Sequence, residues 1–200
     1  MSLLSPSDDQ LFILFTKGDE KAFNTLYQRY SSKILNYLFR LIRDFDKAQD
    51  LLQETFIRLF KYKEGYNAQN NFSSLIYKVA TNLCFNEMKR QKVKKETSLD
   101  QMPETTPLNL ENKEKLLEEN PLFKLEQKER NQMLEKAIDQ LSVDHKLVVV
   151  LKIFLDLDYA HIAEVLDCPV ATLKTRLHYA IKHMEKYILK EGSYAMSVHS

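Results

Sequence analysis

Apolar side chains recur at three- and four-residue steps along most of the chain, which is the spacing of one face of an α-helix. The first run follows Gly18 and Asp19. The Asp19 carboxylate can accept backbone N–H groups of a first helical turn, so a capped helix is expected here. Its apolar face consists of Phe23, Leu26, Tyr27, Tyr30, Ile34, Leu38 and Leu41.

A second helix is expected to begin near Asp46 and to have two unlike sides. The apolar side consists of Ala48, Leu52, Thr55, Phe56, Leu59 and Phe60. The polar side carries Asp50, Gln53, Glu54, Arg58 and Lys61. Residues 61–71 follow, rich in Asn and Gly, and predict a loop.

A third helix is predicted over about 73–91, with Ile76, Val79, Ala80, Leu83 and Met88 buried together. Its exposed side and end are expected to carry Tyr77, Lys78, Lys89 and Arg90. Periodicity is then lost over 91–122, where Pro103, Pro107 and Pro121 stand among Thr, Asn and Glu. This stretch predicts a flexible linker, with a short helix at 113–119. The expected units are therefore a domain at 1–92, a linker at 93–124 and a second domain at 125–192.

Four helices are predicted in the second domain. One contains Met133 to Leu141, and Asp144 is expected to cap the next. Asp158 should cap a short helix over 159–166, a turn follows at 167–170, and a last helix covers about 171–189. The inward side of that helix is expected to hold Leu173, Leu177, Ala180, Ile181 and Met184. The whole chain is thus predicted to be all-α, with two small domains and a helix-turn-helix in the second.

The helix-turn-helix gives the strongest functional signal, because its second helix typically enters the major groove of DNA. The outward groups include Thr172, Lys174, Thr175, Arg176, His178, Tyr179 and Lys182. Hydroxyl groups and cations suit phosphate contacts, and arginine suits bidentate contact with guanine. The turn offers Asp167 where glycine is usual, and Asp tolerates left-handed geometry better than most residues. A plain helical hairpin with a solvated basic face remains the alternative.

Charge distribution supports nucleic-acid binding although the net charge is only +1. Segments 86–95 and 168–190 are basic, and segment 96–126 between them is acidic. Only 3 glycines are present, which favours helices over β-rich folds. No apolar run approaches the roughly 20 residues of a membrane span, and no secretory signal is evident, so a cytoplasmic protein is expected. Cys84 and Cys168 are expected to be reduced, buried thiols.

Enzyme signatures are missing from the sequence. His161 and Glu164 share a helix face, but no third ligand and no HExxH pattern accompanies them. No phosphate-cradling glycine loop or nucleophile elbow occurs. We therefore expect no catalytic residue, no metal site, no cofactor and no small-molecule substrate.

Three segments resemble the extracytoplasmic-function (ECF) class of bacterial sigma factors. Residues 46–60, DKAQDLLQETFIRLF, resemble the helix that docks on RNA polymerase. Residues 72–90, FSSLIYKVATNLCFNEMKR, are similar to the promoter-melting helix, and residues 162–166 with 172–177 look like the reader of the upstream element. Departures are Leu75 for a usual Trp, Ser142 for a Pro, Lys146 for an Arg and His161 for an acidic residue.

The resemblance implies an alternative sigma factor with core RNA polymerase and promoter DNA as partners, and an anti-sigma factor as a further one. It implies polymerase contacts by Asp50, Gln53, Glu54, Phe56 and Arg58. It places the minus-thirty-five contacts on the seven outward groups of the last helix named above. The implied minus-ten contacts are Tyr66, Asn67, Asn70, Asn71, Tyr77, Lys78, Asn82, Lys89 and Arg90.

Two other classes of protein fit parts of the pattern. A stand-alone helix-turn-helix regulator would have the same second domain, but would usually dimerise on a palindrome. A helical scaffold without a DNA role would not need two basic segments on either side of an acidic one.

Overall fold

The computed structural model describes residues 6–62, 71–97 and 121–198. Eight α-helices follow one another within these ranges, with a π-helical turn at Val150–Phe154 directly after the sixth. They are α1 Asp8–Thr16, α2 Glu20–Ile42, α3 Phe45–Lys61, α4 Phe72–Thr97, α5 Pro121–Asp139, α6 Val143–Val149, α7 Tyr159–Leu166 and α8 Val170–Val198. The described part of the chain contains no strand, so the all-α prediction is confirmed.

Helix α1 was not predicted from the sequence. Ser7 begins it with a capping box, in which the Ser7 hydroxyl and the Gln10 side chain each accept a backbone N–H. The helix buries three large side chains, Leu11, Phe12 and Phe15. With only nine residues and apolar groups around most of its circumference, it lacks a clear polar face that would mark it in the sequence.

Two of the three predicted helix caps are confirmed. The Asp19 carboxylate accepts from the backbone N–H groups of Lys21 and Ala22, at 3.0 and 3.4 Å. Asp158 accepts from the His161 backbone N–H at 2.8 Å. The prediction for Asp144 is wrong, because Ser142 occupies the N-cap position of α6 and makes no side-chain cap bond.

The predicted linker is helical at both ends. Helix α4 continues to Thr97 and α5 begins at Pro121. The intervening residues 98–120, with the short helix expected at 113–119, lie outside the described residues. The domain limits at 1–92, 93–124 and 125–192 remain predictions.

One apolar core runs through both halves of the chain. Buried side chains of α2, α3 and α4 join those of α6, the π-helical turn, α7 and α8 in a single cluster. Helix α4 lies along α7, and fully buried members from the second half include Val148, Leu151, Ile162 and Leu173. A smaller cluster, with Ile138 among its members, joins α5 to α8. The two predicted domains therefore pack against each other.

Three apolar residues expected in the interior are exposed instead. Tyr27, Phe60 and Ile181 have 44%, 44% and 39% of their surface accessible. Each lies at the edge of its helix's apolar stripe, where periodicity does not decide between burial and exposure.

Candidate functional site

The turn between α7 and α8 has the geometry of a helix-turn-helix. Asp167 ends α7 with φ 53° and ψ 45°, which confirms the left-handed conformation expected there. The Cys168 backbone N–H donates to the Ala163 carbonyl at 3.2 Å. Leu173, Ala180 and Met184 are buried, and they hold α8 against the rest of the second half.

Most of the predicted upstream-element residues share the exposed side of α8. Lys174, Thr175, His178, Tyr179 and Lys182 are exposed, and Thr172 is half-buried. The Thr175 hydroxyl donates to the Ala171 carbonyl at 3.0 Å, so its oxygen remains available as an acceptor. This face offers cations and hydroxyl groups side by side, as a phosphate-binding surface requires.

Arg176 points away from that exposed face. Its side chain is 30% exposed, and Nη1 lies 3.6 Å from the Asp144 Oδ1 atom. Arg176 also lines a cleft of about 210 Å³ between the two halves, together with Lys78 and Asn82 of α4. Asp144, which was expected to cap α6, thus pairs with Arg176 of α8 instead.

The polar side of α3 is accessible. Asp50, Gln53 and Arg58 are exposed, and Arg58 Nε donates to Glu54 Oε1 at 2.8 Å. Phe56, in contrast, is only 5% exposed and packs on Tyr27 with ring centroids 4.7 Å apart. Phe56 therefore lies in the core behind the polar side of α3 and is not part of the accessible surface.

The same surface also has an apolar part, which was not predicted from the sequence. Ile57 and Phe60 of α3 and Tyr27 of α2 are exposed by 47%, 44% and 44%. Ile57 stands outside the apolar period of α3, which is the signal that identifies it as exposed in the sequence. Exposed large apolar groups beside charged ones are typical of a surface that binds another protein.

Only some of the residues predicted to contact the minus-ten element are described by the structure. Tyr66, Asn67 and Asn70 lie outside the described residues. Asn71 is exposed, and its side-chain oxygen accepts the Ser73 backbone N–H at 2.9 Å at the start of α4. The Asn71 side chain therefore stabilises the first turn of α4.

Tyr77 was predicted to be exposed, but the structure buries it. It is 4% accessible, and its ring lies between Tyr37 and His161, with centroids 5.5 and 6.4 Å away. Burial raises the pKa of the Tyr77 hydroxyl to about 12. The next residue, Lys78, has its Nζ 3.4 Å from the Asp167 carboxylate. Both residues face the second half of the protein, which periodicity within α4 did not predict.

Several polar side chains further along α4 are accessible to solvent. Lys89 and Arg90 are exposed, as predicted, and Asn82, which the resemblance implied as a DNA contact, is exposed as well. Lys89 Nζ lies 4.3 Å from the Phe85 ring centroid, and Arg90 pairs with Glu87 at 3.0 Å. Leu75, at the position where the ECF pattern has Trp, is half-buried.

Other candidate chemistry is sparse within residues 6–62, 71–97 and 121–198. Among them no three His, Cys, Asp or Glu side chains come together as a metal site would require. Cys84 is buried as expected, and burial raises the pKa of its thiol to about 12, whereas Cys168, also expected to be buried, is only half-buried. Across the same part of the chain, no helix has both the length and the apolar character needed to cross a bilayer.

Two family models match the chain. Residues 26–93 match Sigma-70 region 2, and residues 131–184 match Sigma-70 region 4. Together they span more than half of the sequence. They fall on α2 to α4 and on α5 to α8 respectively.

Curated relatives align over nearly the full chain. The RNA polymerase sigma-H factor of Pseudomonas aeruginosa is 27% identical, over 92% of this chain and 95% of that protein. The ECF RNA polymerase sigma factor SigW of Bacillus subtilis is 28% identical, over 86% and 91%. The ECF RNA polymerase sigma-E factor of Escherichia coli is 29% identical, over 87% and 90%.

Solved structures share the fold. The sigma factor RpoE of Bartonella quintana, in complex with the anti-sigma factor NepR, has a TM-score of 0.66 at 19% identity and covers 85% of this chain and 98% of that one. CnrH, in complex with the cytosolic domain of CnrY, has a TM-score of 0.63 at 14% identity and covers 90% and 95%.

Proposed function

Since the chain belongs to the ECF class of sigma-70 factors, we propose that it binds core RNA polymerase through the polar face of α3 and reads promoter DNA through α4 and α8. It is an alternative sigma factor that directs transcription initiation. Sigma factors are non-catalytic initiation factors, and we assign this chain no catalytic step of its own.

One observation carries the residue assignments. The exposed face of α3, with Asp50, Gln53 and Arg58, lies in the region 2 match, and the exposed basic face of α8 lies in the region 4 match. The two faces thus occur in the order that polymerase docking and upstream-element reading require. The minus-ten role of α4 is supported by its exposed Asn82, Lys89 and Arg90.

Run-off transcription tests the whole proposal. Sigma-free core polymerase and a promoter library are combined with and without the chain, and transcripts that depend on it should share two spaced promoter elements. Permanganate footprinting of the same complexes should reveal unpaired thymines at the minus-ten element. Binding to a duplex site without polymerase, and no transcript, would instead indicate a stand-alone regulator.

Replacing Gln53 and Glu54 together by alanine should weaken core polymerase binding at least about tenfold, as expected when polar groups at an interface lose their partners. The change removes an exposed amide and the carboxylate that holds Arg58. Binding is measured with labelled chain and purified core polymerase.

The control for this surface is Lys21→Ala with Glu20→Ala, which also removes two polar side chains, here exposed ones at the start of α2. This control should bind polymerase like the wild type. Unchanged binding by the Gln53 and Glu54 variant would remove α3 from the docking surface.

Arg176→Ala should cost about 1–3 kcal/mol of promoter binding and relax the preference at one base pair, if Arg176 reads a base edge. To do so its guanidinium must exchange the Asp144 carboxylate for DNA. The measurement is the affinity of the polymerase complex for promoters that vary at each upstream position. A uniform loss at all sequences, with a shallower salt dependence, would make Arg176 a phosphate contact.

Two further assignments follow from membership of the class. We propose that the chain works in the cytoplasm, where polymerase transcribes, and that an anti-sigma factor restrains it. Affinity capture from the cell of origin, with the tagged chain as bait, tests the second assignment. Recovery of polymerase subunits without any such partner would count against it.

A further inference from the structure

The exposed side of α8 contains an apolar stripe among its cations. Ala171, Thr175 and Tyr179 follow one another at four-residue steps, so they share one side of the helix, and all three are exposed. The Tyr179 side chain has 56% of its surface accessible. Leu173 and Ala180, which are fully buried, lie on the opposite side of α8. The stripe therefore faces away from the protein core.

The γ-methyl group is the part of the Thr175 side chain that is left to meet a partner. The Thr175 hydroxyl donates to the Ala171 carbonyl at 3.0 Å, which turns its oxygen back toward the preceding turn of α8. The β-carbon of threonine carries only one other heavy atom, the γ-methyl carbon. Thr175 thus presents a methyl group at the surface, while its single hydroxyl hydrogen is used within the helix.

The cations on either side of Thr175 are directed toward other helices. Lys174 Nζ lies 5.6 Å from the ring centroid of Tyr159 in α7. Arg176 Nη1 lies 3.6 Å from the Asp144 carboxylate of α6. Cations at the two flanks of a helix suit the phosphates that border a DNA groove. The centre of the exposed side is left to the Thr175 methyl group.

DNA offers one apolar group among the base edges of its major groove. Guanine, cytosine and adenine present hydrogen-bond donors and acceptors there, whereas thymine adds its C5-methyl group. Alanine and threonine methyl groups are suited to apolar contact with that group. Helix α8 begins at Val170, so Thr175 belongs to the amino-terminal part that lies nearest the base edges in a helix-turn-helix.

We propose that the Thr175 γ-methyl group reads the C5-methyl group of a thymine in the upstream promoter element, with Ala171 and Tyr179 as apolar neighbours of that contact. This inference rests on the proposed function of α8. It makes Thr175 a specificity-determining residue, whereas a hydroxyl contact with phosphate would carry no sequence information directly. Burial of one methyl group corresponds to about a fourfold change in affinity.

Uracil in place of thymine tests the contact, because it removes the C5-methyl group and keeps the hydrogen-bonding groups of the base pair. Two libraries of duplex promoters, randomised over the upstream element, are made with thymidine or with deoxyuridine in that segment. The complex of the chain with core polymerase selects from each library, and the bound duplexes are sequenced. For wild type, enrichment of this base at one upstream position should fall about fourfold when uracil replaces thymine.

Three variants assign the effect to one group of atoms. Thr175→Ser removes the γ-methyl group and keeps the hydroxyl, so it should select thymine and uracil equally at that position. Thr175→Val keeps a γ-methyl group and removes the hydroxyl, so it should retain the preference for thymine over uracil. Thr25→Ser is the matched control, since the Thr25 hydroxyl of α2 donates to the Lys21 carbonyl, also at 3.0 Å. This control should select like the wild type.

Equal selection of thymine and uracil by the wild-type complex at every upstream position would overturn the inference. A thymine preference that survives in Thr175→Ser, or one that is lost in Thr175→Val, would overturn it too, because the preference would then not depend on the γ-methyl group. A wild-type complex that enriches no upstream sequence from either library contradicts the proposed function itself. The two failures are therefore distinguishable in one experiment.

Discussion

Phe72→Ala should lower the free energy of unfolding by about 3–5 kcal/mol, the usual range for removing a fully buried phenylalanine. Phe72 is 0% exposed and begins α4. Its ring centroid lies 4.9 Å from that of Phe12 in α1 and 5.4 Å from that of Tyr30 in α2. Alanine leaves a cavity where three helices meet, and it removes aromatic contacts that α1 cannot replace.

Urea denaturation followed by circular dichroism measures this loss. The control is Phe45→Ala, since Phe45 is 43% exposed and touches only the edge of the core near Phe39. We expect the control to lose less than about 1 kcal/mol, as surface changes do. Similar losses for the two variants would mean that Phe72 does not anchor α1 and α4 together.

Asp139→Asn should destabilise the protein by about 2–3 kcal/mol, because it leaves the buried Lys146 ammonium without its counter-charge and removes one of the two carboxylates beside Arg43. The Lys146 side chain is 10% exposed, and its Nζ lies 2.6 Å from Asp139 Oδ1. Among the described residues, Lys146 Nζ also donates to the Leu41 carbonyl, at 3.4 Å. The expected loss is below that of a fully buried pair, since Asp139 is 36% exposed and asparagine still accepts a hydrogen bond.

A double substitution separates the charge from the packing. Adding Lys146→Met to Asp139→Asn should restore much of the lost stability, because methionine has a similar length and needs no counter-charge. Denaturation of the single and double variants gives the coupling energy. A double variant less stable than Asp139→Asn alone would show that Lys146 stabilises the chain mainly by its bond to the Leu41 carbonyl.

Periodicity in the sequence predicted the helices α2 to α8 because the apolar side chains of each recur on one face. It predicted the turn at Asp167 because few residues adopt positive φ, and Asp is among them. It did not predict α1, whose apolar groups surround the helix. The resemblance to the ECF class supplied the candidate faces of α3 and α8, and both are exposed.

Periodicity could not predict which helix surfaces of the two halves pack against each other. Tyr77 and Lys78 follow the pattern of an exposed aromatic and basic edge, and only the packing of α7 on α4 turns that edge inward. The same holds for Lys146, which takes the place of an arginine in the family pattern and becomes buried against α2. The residue pattern of a helix shows which side chains share a face. Which of those faces is buried also depends on residues about 100 positions away in the sequence.

The core shared by both halves has a consequence for synthesis on the ribosome. Ser74 and its partner Glu164 are 90 residues apart in sequence. At about 5–20 residues per second, α4 emerges roughly 5–18 seconds before the helix that covers it. During that interval the nascent chain presents the uncovered side of α4, with Tyr77, to solvent. Chaperones that recognise apolar surface therefore have a defined period in which to bind, and it closes once α7 has been translated.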